Sequence, residues 1–214
     1  MASLTFYFSS MNAGKSMELI KTYFNFKSQF SESVHAEKDN VICLTSAQDN
    51  RSGVGKISSR PLQTSLDAHP ISPEIHLKDY LLNEVMPSME DPTELILVDE
   101  AQFFTRQQIR DLAYIVDSLD IDVMCYGLRS DFKAQPFEGS LELLTLSDKL
   151  REVKNRCVCG NKATMNLRFN EHLDVVKDGD SIQVGGEENY ISLCRKHFFK
   201  AHEVGDVHFL KHMK

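Results

Sequence analysis

The sequence predicts an α/β fold: a parallel sheet covered by helices on both faces, followed by a small cysteine-bearing unit. Three observations carry this. Short apolar runs bounded by turn residues alternate with amphipathic stretches, the pattern of strands buried on both faces and joined by helical crossovers. At 214 residues, 42% hydrophobic and 26% charged, the chain can bury one good-sized core plus an appendage. Past Lys149 the texture changes to paired cysteines around glycine-containing polar sequence. A boundary is therefore expected near Arg151, with 1–150 as the sheet domain and 151–214 as the smaller one.

Each element follows from its local pattern. "LTFYF" at 4–8 is β-branched and aromatic and reads as a buried strand. "SMELIKTYFNFKSQF" spaces Leu19, Ile20, Tyr23, Phe24 and Phe26 mainly at helical intervals, so a helix opens directly after residue 15. "VICLT" at 41–45 is a second buried strand, and the polar, glycine-bearing 46–60 is expected as a mobile loop. Four prolines between 69 and 92 surround the amphipathic "LKDYLLNEVM", which predicts one short helix. "ELILVDE" at 94–100 is the clearest strand, ending in two carboxylates. "RQQIRDLAYIVDSL" follows as an amphipathic helix and "DVMCYG" as another strand. No internal repeat or low-complexity tract is present.

Bulk properties narrow the function. The net charge of −7 disfavours a partner made of polynucleotide, because neutralising phosphates normally demands a basic surface. A small phosphate-bearing ligand held locally remains compatible. No apolar run approaches the roughly 20 residues of a membrane span, so no membrane partner is expected. "MASLTFYFSS" lacks a basic region before an apolar one and predicts no signal peptide. Five cysteines, an odd count with no dense pattern, fit a reduced, cytoplasmic setting.

The stretch "SSMNAGKS" at 9–16 ends like the phosphate loop G-x-x-x-x-G-K-[ST], but Ser9 stands where the first glycine belongs. Strand before and helix after is the context such a loop requires. Backbone N–H groups from Met11 to Ser16 would cradle nucleotide phosphates, Lys15 would add a point charge, and the Ser16 hydroxyl would ligate Mg²⁺. The competing reading is a helix N-cap with an exposed lysine. Serine suffices at position 9 only if the backbone angle there tolerates a side chain. Asp99, at the end of "LILVD", matches the carboxylate that reaches Mg²⁺ beside such a loop, although a strand end entering solvent looks the same. Glu100 should point differently from Asp99. It would accept a proton from an attacking hydroxyl, or orient a water near the metal.

Cys157 and Cys159 form C-x-C, and Cys194 and His197 form C-x-x-H. Three thiolates and one imidazole make a tetrahedral structural zinc site. A disulfide or a chance pairing is the alternative, and a reduced setting disfavours the first. Cys43 and Cys125 lie in apolar strands and read as core; the remaining histidines read as surface. In "VGGEENY", Gly185 and Gly186 would allow close backbone approach to a ligand, and Tyr190 could stack on a planar ring. A hairpin turn followed by a half-buried tyrosine accounts for the same residues.

Taken in order, "MNAGKS", "LVDEAQF", "CYGLRSDF", C-x-C and "VGGEENYISLCRKH" resemble the thymidine kinases of the cellular type found in bacteria and animals. The likeness runs from Leu4 to about Phe199. Bacterial members also carry serine at the start of the loop, which makes Ser9 a family variant. The resemblance implies a RecA-like core with a zinc-bearing lasso domain, transfer of the ATP γ-phosphate to the 5′-hydroxyl of thymidine with Mg²⁺, inhibition by dTTP, and a homotetramer. Carried over by motif, Ser9, Ser10, Met11, Asn12, Ala13, Gly14, Lys15 and Ser16, with Asp99, Glu100, Ala101 and Gln102, form the ATP site. Glu100 is the expected catalytic base, Ser16 and Asp99 the Mg²⁺ ligands, and Cys157, Cys159, Cys194 and His197 the zinc ligands. Animal relatives use C-x-x-C for the first pair.

The same resemblance places backbone groups of Ser181, Ile182, Gln183, Val184 and Gly185 on the thymine edge, with Tyr190 beside the base. Met11, Leu128, Phe132 and Phe137 would line the pyrimidine pocket, and Asp49–Arg51 and Arg168 would lie near the phosphates. Two other classes use similar parts: a nucleic-acid-binding ATPase, which the acidic balance disfavours, and a zinc-stapled nucleotide sensor without catalysis.

Overall fold

Side chains alternate between two apolar layers along the central strands. β1 (Leu4–Ser9) sends Leu4 and Phe6 to one layer and Tyr7 to the other; β2 (Val41–Ser46) splits Ile42 and Leu44 from Val41 and Cys43. The computed structural model describes residues 1–31, 40–49, 53–59, 61–179 and 189–212. Period-two alternation with both faces apolar is what a sheet sandwiched between helices requires. β6 (Leu95–Val98) obeys it as well, with Ile96 and Val98 opposite Leu95 and Leu97. Two further strands join at the carboxyl-side half of the sheet domain, β7 (Asp122–Leu128) and β8 (Lys149–Glu152), and β5 (His69–Ile71) lies at the other edge. The sheet order is β5-β2-β6-β7-β1-β8, and every pairing is parallel.

Helix α1 (Lys15–Ser31) opens straight off the loop after β1 and covers one face through Leu19 and Ile20. α3 (Arg106–Leu119) and α4 (Glu138–Leu146) cover the other through Ile109, Leu112, Ile115 and Leu143. α3 starts at a reciprocal cap: the Thr105 hydroxyl accepts from the Gln108 N–H, and the Gln108 side chain accepts from the Thr105 N–H. The segment expected as one short helix forms α2 (Leu77–Tyr80), which widens through Leu81–Val85 and tightens through Met86–Ser88, beside Pro87. Among the described residues no helix is long and apolar enough to cross a membrane.

Beyond Glu152 lies a second apolar cluster built from Met165, Leu167, Leu193, Phe198 and Ala201. It is framed by the antiparallel pair β9 (Met165–Arg168) and β10 (Tyr190–Leu193) and by α5 (Arg195–Val204). The structure departs from expectation at several places. Part of the expected 46–60 loop is β3 (Lys56–Ser59), which pairs with β4 (Thr64–Asp67), so that stretch is a correction to the loop reading. Ile57 anchors it, fully buried under α1. Helix α4 and the charged edge strand β8 were not anticipated. The texture change near Arg151 thus falls inside the sixth strand of the sheet. His69 and His202 are half-buried instead of exposed; His69 Nδ1 lies 3.0 Å from the Tyr80 hydroxyl.

Candidate functional site

Strand order dictates where the loop and the acids meet. β1 and β6 flank β7, so the turns leaving the carboxyl ends of all three strands share one edge of the sheet. This is the edge at which open α/β sheets bind ligands. There the Ser16 hydroxyl donates to Asp99 Oδ2 at 2.8 Å. Lys15, only 8% exposed, folds back so that its ammonium donates to the Ser10 carbonyl at 3.0 Å.

The loop backbone resolves the serine question. The left-handed positions are Asn12 (φ 56°) and Gly14 (φ 85°), whereas Ser9 is still in register as the last residue of β1, opposite Leu128. Asparagine and glycine are the residues that enter that region most readily. Ser9 needs no such freedom, and its hydroxyl donates to the Val153 carbonyl at 2.5 Å, tying the loop entrance to the chain beyond β8.

The second unit holds the loop from the side. Asn166 Oδ1 accepts the Met11 N–H at 2.7 Å, and Asn166 Nδ2 donates to the Ser130 carbonyl at 3.1 Å. Asn155 Nδ2 donates to Ser10 Oγ and to the Met11 carbonyl, and the Ser192 hydroxyl donates to that carbonyl at 2.7 Å. Asn166 and Ser192 are paired across β9 and β10. The Met11 N–H, expected to face a phosphate, is therefore engaged within the protein. Sequence reading missed Asn155, Asn166 and Ser192. A signal existed for two of them: Asn155 and Ser192 each stand two residues before the first cysteine of a pair.

Asp99 is 5% exposed, and its Oδ1 has no hydrogen-bond partner among the described residues. Burial raises its pKa to about 7; the neighbouring Glu100 charge adds to this, while the Ser16 hydroxyl and Lys15 oppose it. An orphaned carboxylate oxygen beside a serine hydroxyl is an all-oxygen donor set that suits a hard cation such as Mg²⁺. Glu100 is half-buried and its backbone is left-handed (φ 51°), a conformation that non-glycine residues adopt rarely. Ala101 is packed in the core. Gln102 is buried, with its amide nitrogen donating to Glu100 Oε2 and its oxygen accepting from the Leu128 N–H at 2.9 Å.

The expected base-binding residues gather around the same edge. Leu128 and Phe132 are buried, and the Phe137 ring meets Phe103 edge-on at 5.7 Å. The Arg168 guanidinium lies 5.2 Å from the Phe132 ring centre and also bonds the Tyr190 hydroxyl. Burial pushes the Tyr190 phenol up. Ser181, Ile182, Gln183, Val184 and Gly185, and Asn50 and Arg51 of the 49–51 motif, lie outside the described residues.

Cys157, Cys159, Cys194 and His197 converge, with all ligand atoms within 4.8 Å of one another. A tetrahedral zinc with Zn–S of about 2.3 Å and Zn–N of about 2.0–2.1 Å has sulfur–sulfur edges near ~3.8 Å and sulfur–nitrogen edges near ~3.6 Å. The observed separations are 3.9 Å from Cys159 Sγ to Cys194 Sγ, and 3.4 and 3.5 Å from His197 Nδ1 to Cys157 Sγ and Cys194 Sγ. The four residues fit one zinc ion. The C-x-C spacing works because the chain turns back at once: Cys157 N–H donates to the Asn161 carbonyl, Gly160 N–H donates to the Cys157 carbonyl, and the Cys159 and Cys194 N–H groups donate to Cys157 Sγ. All five cysteines are free of disulfides.

Comparison with known proteins agrees with this geometry. The family model described as thymidine kinase matches residues 2–198. The thymidine kinase of Haemophilus influenzae is 44% identical over 199 residues, covering 92% of this chain and 96% of that one. The Mannheimia succiniciproducens enzyme of the same name is 44% identical over 198 residues, covering 92% and 95%. The Vibrio cholerae thymidine kinase is 42% identical over 202 residues, covering 94% and 98%. With a family model spanning nearly the whole chain and relatives matched almost end to end, this chain belongs to the thymidine kinase family.

Proposed function

We propose that the protein transfers the γ-phosphate of ATP to the 5′-hydroxyl of thymidine, giving dTMP and ADP in pyrimidine deoxynucleoside salvage. The observation that carries this is the meeting of Ser16, Asp99 and Glu100 at the end of the loop holding Lys15. Loop N–H groups from Asn12 onward and Lys15 bind the phosphates. Mg²⁺, held by Ser16 and Asp99, supplies charge neutralisation for the transferred group. Glu100 accepts the 5′-hydroxyl proton as that oxygen bonds to phosphorus and the bond to the ADP oxygen breaks. Because the transition state is loose, orienting the nucleophile contributes more than basicity.

Tyr190 and Phe132 form one wall of the nucleoside pocket, with Leu128 and Phe137 on the sheet side, and by family likeness the backbone of 181–185 would read the thymine edge. A single methyl group in an apolar pocket discriminates by only about 1–3 kcal/mol, so deoxyuridine is a weaker substrate and not an excluded one. Cytosine, whose reversed edge would leave buried backbone groups unpaired, is rejected more strongly. dTTP inhibits by placing its base in this pocket and its phosphates toward the donor loop. The zinc is structural, and the working unit is a cytoplasmic homotetramer, both by family likeness.

The test is a panel of nucleosides with γ-labelled ATP, with and without dTTP. Labelled dTMP as the main product, suppressed by dTTP, supports the reading. ATP binding with no transfer to any nucleoside would instead mark the chain as a nucleotide sensor, and transfer to a purine nucleoside alone would overturn the pocket assignment.

A further inference from the structure

We propose that Gln102 is a positioning residue whose amide locks the Glu100 carboxylate against the end of β7, and that it does not contact the nucleotide. The inference rests on Glu100 as the proton acceptor of the proposed reaction. Gln102 is 2% exposed, although it lies two residues from a side chain in the site. Its orientation is determined by chemistry. The Leu128 backbone N–H is a donor only, so the amide atom 2.9 Å from it is the oxygen, and the amide nitrogen faces the opposite way. That nitrogen donates to Glu100 Oε2. One amide thus ties the acid to the strand that carries the expected pyrimidine wall.

The packing around the turn is shaped for this contact. A Cβ on Gly127 would stand 2.8 Å from Gln102 Oε1 and 3.1 Å from the Gln102 backbone nitrogen. A Cβ on Gly139, at the start of α4, would stand 2.5 Å from the Phe104 carbonyl oxygen and 2.7 Å from that of Ala101. Two glycines on separate elements therefore admit the turn Ala101–Phe103 from opposite sides. The turn carries the left-handed Glu100 at its entrance, where the acid departs from the direction of the strand. A carboxylate so placed has several rotamers, and a fixed amide beside it selects one before substrate arrives.

The test separates the two ends of the amide. Gln102→Glu keeps an acceptor for the Leu128 N–H and removes the donor facing Glu100. Gly127→Ala displaces Gln102 without altering its chemistry and serves if the first variant folds poorly by thermal melting. Both are measured as kcat and as KM for each substrate, in the native background and with Glu100→Gln. The expected result is a kcat lower by roughly 10–100-fold, with KM for ATP within about threefold of the parent. In the Glu100→Gln background neither substitution should lower kcat further, because the residue acts through the acid.

A kcat within about twofold of the parent for both variants would overturn the proposal, as would an equal loss in both backgrounds. A raised KM for ATP at constant kcat would also overturn it, assigning Gln102 to the nucleotide. If Glu100→Gln alone kept full turnover, the base assignment itself would fall, a failure recognisable before Gln102 is touched.

Discussion

Replacing Asn166 with alanine should weaken the donor loop from a distance of 155 residues along the chain. The side chain is 3% exposed and makes two hydrogen bonds of opposite polarity, accepting from the Met11 N–H at 2.7 Å and donating to the Ser130 carbonyl at 3.1 Å. Alanine strands both backbone groups. Each buried, unsatisfied group costs about 1–3 kcal/mol, and the smaller value applies to Met11, which is only partly buried, so the total is about 2–4 kcal/mol. For a chain of this size that lowers Tm by roughly 4–16 °C. Differential scanning calorimetry and ATP titration on the variant and the parent give the comparison. The reasoning is refuted if Asn166→Ala melts with the parent and binds ATP equally well.

Other perturbations test other parts of the site. Asp99 binds its proton more tightly folded (about 7) than unfolded (near 3.8), so its contribution to stability is lost as pH rises through that interval. Asp99→Asn should thus gain stability relative to the parent between pH 5 and pH 8, on the order of a few kcal/mol, in urea titrations without nucleotide; a difference that does not change with pH would contradict the burial argument. Ser9→Gly removes the bond to Val153 and adds strand entropy, together about 1–2 kcal/mol of stability, while KM for ATP holds. A glycine variant at least as stable as the parent would show that the hydroxyl contributes nothing. Cys194→Ser should reduce zinc content below one ion per chain by metal analysis and increase amide exchange in β9 and β10. Full zinc retention would argue against the four-ligand site.

What the sequence disclosed were the features that are local and chemical. "LTFYF", "LILVDE" and the loop between them are short-range patterns, and the parallel sheet brings them to one edge on the two strands that flank β7. Strand β8 escaped because "KLRE" is fully exposed at an edge and carries no apolar alternation. Helix α4 escaped because "EGSLELLTL" is apolar on several sides and shows no single helical face. The acids and cysteines of the site were legible as residue types with known chemistry. The amides that position them were harder to read: Asn155 carries only its spacing to Cys157, Gln102 only its place in a motif and Asn166 no local signal, since all three act through geometry set by distant partners. Glycine at 127 was readable as part of a motif, but its reason is a contact with a turn 25 residues earlier.

The spacing that puts Asn155 and Ser192 just upstream of the cysteine pairs also governs the order of events during synthesis. The loop after β1 leaves the ribosome well before its support is complete, because the hydroxyl that closes its flank on Met11 is made 181 residues later. A nascent chain carries every residue of the loop and still lacks its finished shape until the β9–β10 pair has formed. Premature termination before that point therefore yields a chain with an intact motif and an unfastened loop.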